Sequence, residues 1–146
     1  WRKKDLPGIE SFAGEAELDE FLALSDILVC LLPLTPETES IIDSKLLAKL
    51  PKGASFINGA RGGLVVEADL IAALESGHLA HAVLDVTREE PLPAEDPLWR
   101  APNITITPHV ASVTNAKSGA RLVAENIRRV QAGEMPHHVV DPKAGY

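Results

Sequence analysis

The sequence predicts an α/β fold, a parallel sheet covered by helices, and three observations carry that prediction. Short apolar runs alternate with amphipathic stretches in the order strand, helix, strand, helix, strand, loop, strand, helix; such alternation is the pattern of parallel strands joined by crossover helices. The first strand candidate, residues 27–32, is a short continuous apolar run, as a strand buried on both faces is. Proline or glycine punctuates the elements, at Pro33, Pro51, Gly77, Pro108 and Gly133. Right-handed crossovers follow from strand twist.

Each element has a local reason. Pro7-Gly8 is a turn, and residues 15–24 then carry Ala16, Leu18, Phe21, Leu22 and Leu24 at helical spacing. Residues 27–32 are a continuous apolar strand ended by Pro33, and Thr35-Pro36-Glu37-Thr38 turns the chain. Asp43 can accept from the free amides of a first turn, so it caps a helix over residues 44–50 with Leu46, Leu47 and Leu50 on one side. Residues 54–58 form the second strand and run into the glycine-rich Asn58-Gly59-Ala60-Arg61-Gly62-Gly63. A helix over residues 67–76 turns Leu70, Ile71 and Leu74 inward and stops at Gly77. Residues 81–85 make the third strand, residues 90–102 a proline-rich loop and residues 104–107 the fourth strand. The longest helix spans residues 114–131, with Ala120, Val123, Ile127 and Val130 at core spacing.

Composition excludes several classes. At 146 residues the chain is one domain, or slightly less than one plus an arm. A hydrophobic share of 45% argues against wholesale disorder, and a net charge of −7 argues against a nucleic-acid partner. The longest apolar stretch, residues 27–34, is far short of the roughly 20 residues that a membrane helix needs. A single cysteine, Cys30, allows no internal disulfide and no Cys-based zinc site. No metal site is read elsewhere; His78 and His81 suit capping or solvated roles, and nothing near His137-His138 completes a ligand set. No leader peptide is read at the start, and a cytoplasmic setting is the expectation.

In a parallel sheet, ligands gather beyond the carboxyl ends of the strands. There the chain places Leu32-Pro33, then Gly59-Ala60-Arg61, then Asp85 with Glu90 five residues on, then His109. Singly, Arg61 suits a surface salt bridge and His109 a capped loop. Together they suit reduction of a carbonyl beside a carboxylate. Arginine supplies the planar fork that a carboxylate needs. Histidine can deliver a proton near neutral pH, and a bonded glutamate holds the ring and favours its charged form. The hydride must come from a cofactor.

Asp26-Ile27-Leu28-Val29-Cys30-Leu31-Leu32-Pro33-Leu34-Thr35-Pro36-Glu37-Thr38, Asn58-Gly59-Ala60-Arg61-Gly62, Leu84-Asp85-Val86 with Glu90-Pro91, Pro97-Leu98-Trp99 and Thr107-Pro108-His109 resemble, in order, the signatures of the D-isomer-specific 2-hydroxyacid dehydrogenases. Pro7-Gly8-Ile9-Glu10-Ser11-Phe12-Ala13-Gly14 and the ending Ala144-Gly145-Tyr146 resemble the bacterial glyoxylate/hydroxypyruvate reductase A branch. The resemblance implies a partial Rossmann-type, doubly wound parallel sheet lacking its first strands. It implies that residues 1–113 are the C-terminal part of an NAD(P)-binding domain, and that residues 114–146 are a helix and tail that pack toward a substrate domain. It implies a homodimer, and hydride transfer from NAD(P)H to a small 2-oxo acid, giving the 2-hydroxy acid.

By the same resemblance Arg61 grips the substrate carboxylate, His109 is the acid/base and Glu90, rather than the adjacent Glu89, is its partner. Asp85 meets the nicotinamide carboxamide. Gly59 and Ala60 line the nicotinamide with Arg61 and His109 beside them, and Leu32 and Pro33 lie near its ribose. Arg2, Lys3 and Lys4 match the place where basic residues grip the 2′-phosphate, so NADP is expected, with NAD the alternative. Two departures stand out. The phosphate loop G-x-G-x-x-G is absent, and so is the substrate domain, which makes the chain look like the C-terminal piece of a longer enzyme, with weak cofactor affinity on its own. Thr87 stands where phenylalanine is common and reads as a packing change; Trp99 reads as loop packing and Cys30 as inert. A dinucleotide-sensing corepressor of the same fold is the alternative function. Formate oxidation fits less well, because that branch uses an amide where Glu90 stands.

Overall fold

The computed structural model describes residues 6–142. Arg2, Lys3 and Lys4 and the ending Ala144-Gly145-Tyr146 therefore lie outside the described residues. The chain separates after His109 into two compact units.

In the first unit the elements run α1 (Leu18–Ala23), β1 (Ile27–Cys30), α2 (Ser44–Leu47), β2 (Ala54–Asn58), α3 (Glu67–Glu75), β3 (Leu79–Leu84) and β4 (Ile104–Ile106), with short 3-10 turns at Glu15–Glu17, Gly62–Leu64 and Pro97–Arg100. The strands form one parallel sheet in the order β1-β2-β3-β4. Each strand lies beside the next in sequence, so every carboxyl end falls on the same rim. The paired ends Cys30 with Asn58, and Asn58 with Leu84, fix that rim in register.

The core forms on one face of the sheet. Leu28, Cys30, Phe56, Ala82 and Leu84 meet Leu22 of α1, Leu46 and Leu47 of α2, and Leu70 and Leu74 of α3 in a single cluster. Each fully buried side chain of this size contributes about 1.5–3 kcal/mol. Asp43 caps α2 as its position suggests, its Oδ1 accepting from the Leu46 amide at 2.9 Å. Gly77 ends α3 with φ 68°, a left-handed conformation that glycine adopts without a Cβ penalty.

Four expectations need correction. The strand read over residues 27–32 is only β1, and it is not buried on both faces: Ile27 is 61% exposed and Val29 49%. The helices of this unit gather on the face of Leu28 and Cys30, which leaves the alternate residues open. The helix read over residues 15–24 begins as a 3-10 turn, and of its apolar residues only Leu22 is buried. The helix read over residues 44–50 is a single turn, with residues 48–50 tightening after it, although Leu46, Leu47 and Leu50 are all buried. The third strand starts at Leu79, two residues early, because its first residue pairs with Ala54 across a register shift.

The second unit holds α4 (Ala116–Gln131). Asn115 caps it, its side-chain oxygen accepting from the Lys117 and Ser118 amides. Gly133 ends it with φ 75°. The tail meets α4 through polar bonds, from Asn126 to His137 and from Arg129 to the Met135 carbonyl. The spacing read as core is not buried: Val123, Ile127 and Val130 are all exposed. Among the described residues no helix is long and apolar enough to cross a membrane.

Candidate active site

Each strand of the rim delivers its residues differently. After β1, the chain passes Leu32-Pro33 and is folded by Thr38, whose hydroxyl donates to the Pro33 carbonyl at 2.7 Å and accepts from the Thr35 amide at 2.8 Å. Cys30, just before, is buried, and burial pushes its thiol above the ordinary range; the Leu32 amide offsets part of that.

After β2, Asn58 shapes the loop. Its side chain is fully buried, its Oδ1 accepts from the Ala60 amide at 3.1 Å and its Nδ2 donates to the Arg61 carbonyl at 3.0 Å. The loop is thereby closed on both sides of Ala60, and Arg61 emerges into solvent with its Nη1 donating to the Ala60 carbonyl at 2.6 Å. Gly62 follows immediately. A Cβ there would fall on the Thr87 carbonyl and the Arg88 amide nitrogen, so only glycine lets the loops after β2 and β3 touch.

After β3, Asp85 is buried at the strand end and accepts from the Thr107 hydroxyl at 2.5 Å. Its main chain joins two neighbours, the amide donating to the Asn58 carbonyl at 3.0 Å and the carbonyl accepting from the His109 amide at 2.9 Å. Glu90 lies farther along the same loop. Its Oε1 accepts from the Thr87 amide at 3.1 Å and its Oε2 meets His109 Nδ1 at 2.8 Å. The bond from His109 is the main reason the Glu90 carboxyl is held below the usual carboxylate range. Partial burial opposes the shift, while the Thr87 amide and the charges of His109 and Arg61 add to it.

His109 itself adopts φ 54°, a left-handed conformation uncommon outside glycine, directly after Pro108. Its amide bonds to the Asp85 and Thr107 carbonyls hold that turn. With Nδ1 committed to Glu90, Nε2 is the ring nitrogen left to face a reactant. Both side chains remain accessible, His109 at 48% and Glu90 at 39%.

The structure thus brings Glu90 and His109 into contact, ties Asp85 to both neighbouring strand ends, and sets the Arg61 charge near enough to Glu90 to bias its ionisation. Glu89 is not the histidine's partner; its carbonyl accepts from the Thr87 hydroxyl at 2.7 Å. Thr87 is consequently more than a packing change, since its amide and hydroxyl both fix this loop. Trp99 is 54% exposed, while its indole nitrogen pins the loop by donating to the Pro93 carbonyl at 2.8 Å. His78 and His81 bond to the Leu47 carbonyl and the Thr105 hydroxyl. The sequence reading gave no role to Asn58, Gly62, Arg88 or Thr107. Asn58 was detectable, because an asparagine opening a glycine-rich turn commonly bonds its own backbone two residues on. Arg88 was not, since its side-chain partners lie 23 to 49 residues away.

Comparison with known proteins agrees with this geometry. Residues 3–111 match the family model described as D-isomer specific 2-hydroxyacid dehydrogenase, NAD binding domain. A D-isomer specific 2-hydroxyacid dehydrogenase from Xanthobacter autotrophicus Py2, solved with NADPH and MES, is 51% identical with a TM-score of 0.94, over 99% of this chain and 60% of that one. A probable 2-hydroxyacid dehydrogenase from Rhizobium etli CFN 42, solved with NADP, HEPES and L(+)-tartaric acid, is 43% identical with a TM-score of 0.89, over 99% of this chain and 47% of that one. The NADPH-dependent glyoxylate/hydroxypyruvate reductase of Sinorhizobium meliloti, solved with NADP and sulfate, is 43% identical with a TM-score of 0.92 and the same coverage. The chain spans less than two thirds of the length of these relatives. The four-stranded parallel sheet, the order of the strand-end motifs and the family match together establish that this chain belongs to the D-isomer specific 2-hydroxyacid dehydrogenases, within their NAD-binding domain.

Proposed function

We propose that the protein carrying this chain reduces a small 2-oxo acid of the glyoxylate or hydroxypyruvate type to the 2-hydroxy acid, using NADPH. The observation that carries the reading is the contact of His109 Nδ1 with Glu90 at 2.8 Å, on the rim that also presents Arg61. Relatives at 43–51% identity solved with NADPH or NADP support the choice of cofactor.

The residues present fit the nicotinamide end of such a cofactor. Asp85 offers a carboxylate acceptor suited to a carboxamide. Leu32-Pro33 and Gly59-Ala60 offer apolar, small-side-chain surroundings suited to a flat ring and its ribose. When bound, the reduced cofactor supplies the hydride. The chain's own residues do the rest. Arg61 binds the substrate carboxylate through its fork and polarises the adjacent carbonyl. His109, held by Glu90, gives the proton on Nε2 to the carbonyl oxygen as negative charge develops there. Glu90 keeps the ring oriented, accepting at Oε2 opposite Nδ1 so that Nε2 faces the reactant. In the reverse direction the neutral ring takes the proton back.

In this reading residues 1–113 are the C-terminal part of the dinucleotide-binding domain, and residues 114–146 are a helix and tail directed to a substrate domain. The reading carries a homodimer and a cytoplasmic setting. Loss of reduced-nicotinamide absorbance with glyoxylate present tests the proposal. His109→Ala in the full-length protein lowers turnover by about 100- to 10,000-fold, the range for loss of a general acid. Wild-type turnover in that variant contradicts the mechanism. Absence of turnover in the parent with any 2-oxo acid favours the dinucleotide-sensing corepressor, whose readout is cofactor-dependent association with a partner.

A further inference from the structure

We infer that Arg88 is a positioning residue for this site: its side chain fastens the loops after β1, β2 and β3 together and so sets where Arg61 stands relative to Glu90 and His109. The inference rests on the function proposed above for Arg61, Glu90 and His109.

One guanidinium spans three segments. Its Nη2 donates to the Ser40 hydroxyl at 2.9 Å, in the loop after β1. The same nitrogen approaches the Gly63 carbonyl at 3.2 Å and the Val65 carbonyl at 3.3 Å, in the loop after β2. Its Nη1 lies 3.6 Å from the Glu39 carboxylate. The backbone of Arg88 belongs to the loop after β3, two residues before Glu90, and its amide donates to the Glu67 carboxylate at 2.8 Å, at the start of α3.

The loop that bears Arg61 is therefore gripped twice by the same residue. On one side Gly62 lies against the peptide joining Thr87 and Arg88. On the other, the carbonyls of Gly63 and Val65 point at the Arg88 guanidinium. The Gly63 carbonyl is also bonded by the Ser40 amide at 2.9 Å, so Ser40 and Arg88 converge on one acceptor. Val65 and Gly62 are linked by their own turn bond at 3.0 Å, which passes a displacement at Val65 back to the residue after Arg61.

The arrangement needs a fork. A hydroxyl and two carbonyls converge on Nη2 while the Glu39 carboxylate lies 3.6 Å from Nη1; a planar guanidinium spans both directions, whereas an ammonium is a single point that can serve the first three acceptors or Glu39 but not all four. Losing the clamp frees the Arg61 loop to shift by a fraction of an ångström to an ångström. Misplacement on that scale costs on the order of 10- to 100-fold in a reaction that depends on alignment.

The test uses the full-length protein with NADPH and glyoxylate, with Arg88→Ala, Arg88→Lys and the pair Glu39→Gln with Ser40→Ala. Arg88→Ala raises KM for the 2-oxo acid by about 10-fold or more while kcat falls much less, because carboxylate binding by Arg61 is what is displaced. Arg88→Lys recovers melting temperature but only part of the KM. The Glu39/Ser40 pair, which keeps Arg88 and guards against a folding failure, raises KM in the same direction by a smaller factor. Hydrogen exchange gives a readout independent of catalysis: in Arg88→Ala the amides of residues 61–66 and 86–90 exchange faster, while those of β2 and β3 do not. A parent without 2-oxo acid turnover sinks the functional reading, and the exchange pattern still decides the clamp. Unchanged KM in Arg88→Ala or in the Glu39/Ser40 pair, or unchanged exchange at residues 61–66, overturns the inference.

Discussion

At Glu90 a small number of contacts decides an ionisation state. The bond from His109, reinforced by the Thr87 amide and by the Arg61 charge, favours the carboxylate, and partial burial is too weak to reverse it. A carboxyl whose folded value is depressed contributes stability above its unfolded pKa and loses it as pH falls through the folded value. Wild type is therefore more stable than Glu90→Gln at about pH 6, and the two converge as pH falls through the depressed folded value of the carboxyl. With the carboxylate 39% exposed the difference stays below about 1 kcal/mol. Denaturant titrations across that range measure it; a gap that widens toward acid contradicts the assigned cause. The residues of this pair were legible because they sit in motifs with fixed offsets from a strand end. Arg88 and Thr107 were not, because what they do depends on which loops the fold brings together.

Among the elements, the strands were more legible than the helices. The second strand runs over Ala54–Asn58 as the apolar run and its glycine boundary indicate. The helix after Asp43 is only Ser44–Leu47, because Pro51 is near and a single cap sustains a single turn. Burial on both faces was the wrong inference for β1, since composition records how apolar a strand is but not what covers it. The junction of the loops after β2 and β3 yields a sharper test. Gly62→Ala forces a Cβ onto rigid backbone at Thr87 and Arg88, which no rotamer change relieves. Overpacking of this kind costs about 1–3 kcal/mol. A urea midpoint that falls accordingly, with turnover lost beyond the loss of folded protein, is the expected result; an unchanged midpoint means that the loops do not touch as described.

Across the whole molecule, the parallel sheet does one thing for function: it delivers Leu32-Pro33, Gly59-Ala60-Arg61, Asp85 and His109 to a common rim. The order of elements in the sequence is enough to predict that rim. The spacing of Val123, Ile127 and Val130 on α4 predicts a core face, yet the stripe is exposed, because spacing specifies a face and not its partner. Cofactor choice also belongs to this scale. The sequence expectation for NADP rests on Arg2, Lys3 and Lys4, which lie outside the described residues, and three relatives were solved with NADPH or NADP. The full-length protein is expected to favour NADPH over NADH by at least about tenfold in kcat/KM, equivalent to about 1.4 kcal/mol. Equal efficiency with the two contradicts that preference and leaves the chemistry at the rim intact.

The most direct measurement is a crystal structure of the full-length protein with NADP and a small 2-hydroxy acid. The expected result is the acid's carboxylate on the Arg61 fork, its hydroxyl oxygen about 3 Å from His109 Nε2, and Nδ1 still on Glu90. An acid bound away from both Arg61 and His109, with the ring turned off Glu90, contradicts it.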